Sequence, residues 1–335
     1  VPTPNAPPEA LPPEAVERFR ADLLRLKGRN AAERFGLAVS GGPDSIALLL
    51  LARAAFPHRI EVATVDHGLR REAASEALFV AELCAMLDVP CDILTVTVAR
   101  QGNISANARE ARYAALAAWR ERRRLSWLVT AHHADDQLET FIMRANRGSG
   151  VAGLSGIRRE QGVILRPLLG WRRAELAALV ADSGVTPVAD PSNSDDRYDR
   201  ARLRKALAGV DWLDPQAVSE SAAMLASADE ALRWMADQFA TGLLSYGKGD
   251  VVFDRHRLDM PAELVRRLVI RAMIRVDPDF AVAGSGGGAL ARFVGRLETG
   301  RSATLGKVHA DVRQGQWRFR RAPAHRHAQS KIDAT

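Results

Sequence analysis

Residues 35–51 run Phe-Gly-Leu-Ala-Val-Ser-Gly-Gly-Pro-Asp-Ser-Ile-Ala-Leu-Leu-Leu-Leu. A short apolar run ends in six small or polar residues, and a second apolar run begins at once. This order specifies a strand, a tight loop and a helix. The loop leaves unpaired backbone N–H groups at a helix N-terminus, where fixed donors and the helix dipole favour an anion. Gly41 and Gly42 carry no side chain, so a phosphate can approach the backbone. Ser40 and Ser45 add hydroxyls, and Pro43 suits the first helical position. Asp44 is the exception, because a carboxylate beside a phosphate repels it unless a cation lies between them. Asp44 therefore reads as a magnesium ligand. The loop is not a Walker A element, since the Gly-Lys-Ser/Thr ending is absent. The competing account is a plain small-residue helix cap.

The alternation continues downstream. Strands are expected at 59–66, 92–98, 127–131 and 163–165, with helices at 72–87, 105–124, 135–147 and 172–183. Strands separated by helices imply βαβ units, hence a doubly wound parallel sheet with helices on both faces. Such sheets bind ligands outside the carboxyl ends of their strands. Polar clusters lie where that rule requires: Ser40-Gly41-Gly42, then Asp66-His67-Gly68, then His132-His133-Ala134-Asp135-Asp136.

With 335 residues, two domains are expected. Residues 1–30 read as a Pro-rich lead-in and first helix, and 31–208 as the α/β domain. Residues 215–321 read as a smaller, mainly helical C-terminal domain, with a boundary near 209–214 and a basic tail at 322–335. Helices are expected at 218–244 and 261–275, and short strands at 302–320 joined at Gln314-Gly315. Apolar residues make up 47% and charged residues 26%, a soluble globular composition. The formal charge of +7 favours a polyanionic partner, nucleic acid ahead of membrane. No stretch has the length of a membrane span and none reads as a signal peptide, so a cytoplasmic protein is expected. Cys84 and Cys91 are too few for a disulfide framework and match no metal spacing, so they read as core thiols.

Four further clusters could carry chemistry. In His-His-Ala-Asp-Asp-Gln-Leu-Glu-Thr (132–140), Asp136 and Glu139 stand i, i+3 on one helix face. They could hold a metal with Asp44, or one could act as a general base. The bland account is an acidic first turn stabilised by the dipole. Asp66 and His67 could meet a nucleoside or orient a phosphate. Arg109, Arg112 and Tyr113 share a helix stripe suited to phosphates or an unstacked base, or form only a solvated face. Arg147 flanks a glycine-rich stretch (148–156) that could approach a substrate backbone. The glycine run at 284–288 matches a dinucleotide-binding fingerprint but lacks the βαβ context, and reads as a loop into a helix.

Together these stretches resemble the tRNA(Ile)-lysidine synthases, bacterial members of the PP-loop ATP pyrophosphatases, whose fold is of the adenine nucleotide α-hydrolase-like type. The resemblance rests on Ser-Gly-Gly-Pro-Asp-Ser, Val-Asp-His-Gly-Leu-Arg, Ala-Arg-Glu-Ala-Arg-Tyr, Thr-Ala-His-His-Ala-Asp-Asp-Gln-Leu-Glu-Thr and Arg-Gly-Ser-Gly-Val-Ala-Gly-Leu-Ser-Gly-Ile. Arg166-Pro-Leu-Leu and Asp190-Pro-Ser-Asn with Tyr198 continue it, over about residues 35–205. Where the family usually shows Arg-Asn-Arg-Ile-Arg, this chain has Arg200-Ala201-Arg202-Leu203-Arg204. Its length resembles the family's shorter form.

The resemblance implies a ligase that uses ATP and Mg2+. The wobble cytidine of a tRNA(Ile) with a CAU anticodon attacks the α-phosphate and pyrophosphate leaves. Free L-lysine then displaces AMP, so AUA is read as isoleucine. It implies ATP binding by Ser40, Gly41, Gly42, Pro43, Asp44, Ser45, Asp66 and His67. Catalytic roles fall to Asp44, His133, Asp136 and Glu139, with magnesium on Asp44 and Asp136. It implies tRNA binding by Arg109, Arg112, Tyr113, Arg147, Arg200, Arg202 and Arg204. The base that keeps the lysine amine neutral is His133, Asp136 or Glu139, unranked. A homodimer is left open. Rival readings are a PP-loop tRNA thiolase, an amide-forming ligase and a tRNA-binding protein without catalysis.

Overall fold

Six short strands form the sheet that positions the site, and its centre is the strand that enters the glycine loop. The structure is a computed structural model describing residues 7–27, 33–68, 72–99, 101–188, 199–255, 259–280 and 286–323. The chain divides into two compact units: everything through Arg147 together with Leu154–Leu225, and Gly148–Gly153 together with Ala226 onward.

In the first unit the order is α1 (Pro13–Lys27), β1 (Phe35–Ala38), α2 (Pro43–Ala55), β2 (Ile60–Asp66), α3 (Glu72–Met86), β3 (Cys91–Thr95), α4 (Ile104–Arg122), β4 (Trp127–Val129) and α5 (Ala134–Ala145). Along the chain a one-turn helix α6 (Val151–Leu154) follows, all but its last residue counted in the second unit, and then β5 (Glu160–Gln161) and β6 (Ile164–Leu165) of the first. Then come a 3-10 turn (Pro167–Gly170), α7 (Arg173–Asp182), α8 (Asp199–Leu207) and the long α9 (Pro215–Leu243), which begins in this unit. The spatial order is β3-β2-β1-β4-β6-β5. All pairs are parallel except β5 with β6. The expected doubly wound sheet is therefore present.

Strand β1 is buried along its whole length, and its side chains alternate between two cores. Phe35 and Leu37 face a layer holding Phe19 and Leu23 of α1, Ile46 and Leu49 of α2, Val80 and Leu83 of α3, and Leu176 and Val180 of α7. Gly36 and Ala38 face the opposite layer, where Trp119 of α4 is fully buried. A Cβ on Gly36 would lie 2.5 Å from the Trp119 ring, so packing alone demands glycine there. Strand β1 pairs with β2 on one side and with β4 on the other, with Phe35 opposite both Ile60 and Trp127. The order reverses at β1, so the crevice between the ends of β1 and β4 is the place where such sheets bind ligands. The phosphate loop and the 132–136 cluster emerge there.

The second unit holds the rest of α9, β7 (Leu244–Tyr246), β8 (Asp250–Asp254), α10 (Ala262–Val276), α11 (Gly286–Glu298), β9 (Ala303–Leu305), β10 (Val308–Arg313) and β11 (Gln316–Arg321). Its helices are accompanied by a five-stranded antiparallel sheet, β7-β8-β11-β10-β9. The hairpin at Gln314-Gly315 has φ of 49° and 77°, the paired positive values of a tight two-residue turn. Strands β7 and β8 add to what the sequence pattern indicated. Their alternation is only three and five residues long; pairing with β11 gives β8 its register, and pairing with β8 gives β7 its own. One sheet face, with Phe253, Trp317 and Phe319, packs on Leu268, Met273 and Phe293. Arg326, Tyr198 and residues 190–193 lie outside the described residues, as does the start of the 284–288 glycine run.

Candidate active site

The loop after β1 is shaped by its own serines. Ser45, nearly buried, donates its hydroxyl to the Gly42 carbonyl at 2.9 Å and accepts the Ser40 N–H at 3.1 Å. Its proton is therefore spent inside the loop, whereas Ser40 is exposed. Gly41 has φ of +85°, and a Cβ on it would meet Val188 at 3.2 Å. Gly42 caps α2 without a side chain, Pro43 opens the helix without an N–H, and the Ser45 N–H turns back to the Gly42 carbonyl at 3.1 Å, which leaves the Asp44 N–H as the first-turn donor beside the glycine backbone. Asp66 ends β2, the strand beside β1, and accepts the Gly68 N–H at 2.9 Å. His67 follows it.

On the other side of β1, α5 begins with a capping box built by His133 and Asp136. The Asp136 carboxylate accepts the His133 N–H at 3.2 Å, and His133 Nδ1 accepts the Asp136 N–H at 3.4 Å. With Nδ1 so used, the neutral ring carries its proton on Nε2. Nε2 lies 3.4 Å from Asp44 Oδ2 and 3.5 Å from Asp136 Oδ2. The fully buried His133 thus ties the phosphate loop to α5 and sits between two carboxylates. Burial pulls its pKa down, but the Asp44 contact and the charges of Asp136 and Asp44 outweigh burial and hold it above the ordinary value. For Asp136 burial works upward, and His133, His132 and Arg200 overcome it and hold the carboxyl below its usual range. Asp44 Oδ1 is buried with no hydrogen-bond partner among the described residues. An orphaned carboxylate oxygen beside a second carboxylate fits a hard cation. Among the described residues no three His, Cys, Asp or Glu side chains gather as a metal cluster. A magnesium ion here would have two protein carboxylates at most and would complete its shell with phosphate and water oxygens.

Glu139 stands apart from this group. It is buried, and Arg204 of α8 grips both its oxygens, at 2.8 and 3.3 Å. Arg200 and Arg173 approach to 3.5 and 3.6 Å. The i, i+3 spacing with Asp136 led to an expectation of shared metal binding or base chemistry, but both Glu139 oxygens are occupied by guanidinium groups. A cavity of about 250 Å³ opens beside it. Asp135, Glu139, Arg172, Arg173 and Arg204 form its charged side, and Leu138, Leu207, Val210 and Leu213 its apolar side.

A third group is cationic. Arg109 lies over the Tyr113 ring at 5.0 Å. Arg166, almost fully buried at the end of β6, donates to the Arg158 carbonyl at 2.7 Å and contacts Tyr113. Burial lowers the pKa of Arg112 and of Arg166. His132 is held by Thr130 Oγ1 at 2.9 Å. Its pKa falls to about 4, first through burial and then through the charges of Arg166, Arg109 and Arg200, with Asp136 opposing. Arg147 and Arg202 lie apart from this group, sharing the exposed carboxylate of Asp199.

The structure therefore brings Asp44, His133 and Asp136 together and sets Arg109, Arg166 and Arg200 around His132, with Tyr113 against Arg109 and Arg166. It reveals roles for His132, Thr130, Arg166, Arg172 and Arg173 that spacing did not assign. The adjacent histidines were the available signal, but only burial separates a neutral His132 from a carboxylate-bound His133.

A sequence-family profile described as the PP-loop domain matches residues 15–210. The chain is 46% identical over 319 residues to a tRNA(Ile)-lysidine synthase of Novosphingobium aromaticivorans, covering 93% of this chain and 95% of that relative. It is 42% identical over 307 residues to a tRNA(Ile)-lysidine synthase of Zymomonas mobilis, covering 88% and 90%. Among solved structures, a U34-tRNA thiolase from Methanococcus maripaludis aligns with a TM-score of 0.50 at 16% identity, over 63% of this chain and 76% of that one. That likeness concerns the fold.

Proposed function

Because the chain belongs to the tRNA(Ile)-lysidine synthases of the PP-loop family, we propose that its site adenylates the wobble cytidine of a CAU-anticodon tRNA(Ile) and joins lysine to that base. The observation that carries the site assignment is His133, buried between the Asp44 and Asp136 carboxylates at the reversal point of the sheet.

In the first step the cytidine carbonyl oxygen attacks the α-phosphate of ATP and pyrophosphate leaves. The Asp44 N–H and the dipole at the start of α2, the open approach over Gly41 and Gly42, and the Ser40 hydroxyl cradle the phosphates. Asp66 and His67 flank the nucleoside side. Asp44 and Asp136 are the groups that would hold magnesium, which when bound supplies charge neutralisation at the phosphates. His133 keeps the two carboxylates in register.

In the second step the lysine side-chain amine displaces AMP at the same ring carbon. The amine must first be neutral. His133 Nδ1 is taken by the Asp136 N–H, its Nε2 carries the proton of the neutral ring, and Glu139 is enclosed by arginines, so of the three Asp136 is the acceptor of that proton. The cavity beside Glu139 suits an amino acid with an aliphatic chain. Guanidinium groups meet its carboxylate, Asp135 meets its α-ammonium, and Leu138, Leu207, Val210 and Leu213 flank the methylenes. Arg109, Arg112, Tyr113, Arg166 and Arg200 surround the place of the unstacked base, and Arg147 and Arg202 extend a cationic surface for the anticodon backbone. A thiolase reading gains nothing from the cysteines, since Cys84 lies in α3 and Cys91 opens β3, away from the carboxyl ends of the strands.

The test is pyrophosphate release from ATP with magnesium and a tRNA(Ile) transcript, with labelled lysine in the same tubes. Release with lysine incorporation, lost when the CAU anticodon is changed, is expected. Release without incorporation under any amino acid, or no release despite tRNA binding, would overturn the proposal.

A further inference from the structure

Three arginines crowd one buried carboxylate, and they are not equivalent. Glu139 carries a single charge, and Arg204 already satisfies both its oxygens. Arg200 Nε lies 3.5 Å from Glu139 Oε2, beyond a good hydrogen bond. Its one described hydrogen bond runs from Nη2 to Thr140 Oγ1 at 3.0 Å. The Arg200 side chain is 42% exposed. A guanidinium has five N–H donors, so most of those on Arg200 have no acceptor among the described residues. Its charge reaches His132, Asp136 and Arg144, which places it at the centre of the site. A mobile arginine loses rotamer freedom when it takes a partner, and a fixed hydroxyl acceptor removes part of that cost.

We propose that Thr140 is a positioning residue: its hydroxyl aims Arg200, the surplus cation of the Glu139 cluster, at a substrate phosphate. The inference rests on the proposed function for the identity of that substrate. The phosphate belongs either to the anticodon backbone or to ATP, and the experiment separates the two.

Thr140→Val and Thr140→Ser would be made in the full chain, alone and in an Arg200→Ala background. tRNA(Ile) affinity would be read by electrophoretic mobility shift, independently of turnover, and KM for ATP by pyrophosphate release. One charge-assisted hydrogen bond predicts about tenfold weaker tRNA binding for Thr140→Val. Thr140→Ser should stay near wild type, melting temperatures should be unchanged, and Thr140→Val should add nothing once Arg200 is absent. A rise in the ATP KM with unchanged tRNA affinity keeps the positioning role and assigns the phosphate to the nucleotide. Equal damage by Ser and Val, or additive losses in the double variant, would overturn the inference. A wild-type protein that binds tRNA but forms no lysidine would fail the proposed function and leave this binding test intact.

Discussion

Glu139→Gln separates two accounts of the most enclosed carboxylate in the site. The Glu139 side chain is 3% exposed and holds Arg204 through both oxygens. The glutamine amide keeps one acceptor but turns its NH2 toward a guanidinium donor, so one hydrogen bond is lost and a donor faces a donor. Breaking a fully buried pair costs about 3–5 kcal/mol. The Arg204 side chain is 32% exposed and can be partly rehydrated, which lowers the expected cost to about 2 kcal/mol. For a unit of this size that corresponds to a melting temperature about 4–8 °C lower. Thermal unfolding followed by circular dichroism, beside lysine incorporation on the same samples, tests this. The expected result is a lowered transition together with weakened incorporation, because α8 loses its anchor to α5. Unchanged melting with abolished turnover would refute the reasoning and return Glu139 to direct chemistry.

Asp44→Ala should abolish pyrophosphate release while leaving tRNA binding within about twofold, and retained release would remove the metal role. tRNA affinity should fall steeply as salt rises from 50 to about 200 mM, given the exposed arginines around the site; a flat response would argue against a phosphate clamp. His132 has a folded pKa of about 4 against an ordinary 6.5, so it stays neutral in the native protein. The unfolded chain binds the extra proton between those values, so this contribution is present in full above pH 6.5 and is lost as pH falls toward 4, by about 3 kcal/mol at most. His132→Gln should flatten the pH dependence of denaturant stability in that window, and an unaltered profile would count against the assignment. Gly36→Ala should destabilise by about 1–3 kcal/mol in urea melts, because the new methyl meets a Trp119 ring fixed by a 2.8 Å hydrogen bond to Asp92; a neutral effect would contradict the packing.

The strand–helix alternation and the phosphate loop were legible because they depend on local pattern: apolar runs of strand or helix length, broken by small residues. The position of the 132–136 cluster was legible through topology, since parallel sheets gather function at their carboxyl ends. Strands β7 and β8 were not, because three and five residues carry too little alternation to stand out without their partners. The division of labour in the site was also hidden. Spacing grouped Glu139 with Asp136, although the arginines that enclose Glu139 come from α7 and α8, 34 and 61–65 residues downstream.

By itself the sequence determined that a phosphate-binding loop joins a strand to a helix, that carboxylates and histidines follow a later strand, and that the chain resembles one ligase family. Those conclusions rest on residues a few positions apart, whose relation is set by helix and strand geometry. The folded chain was needed to show which histidine is neutral and, among the described residues, which carboxylate oxygen lacks a hydrogen bond and which arginine keeps unused donors. Each depends on burial and on partners from distant segments. Protonation and pairing follow the local dielectric and the nearest charges, and the folded chain alone brings those together.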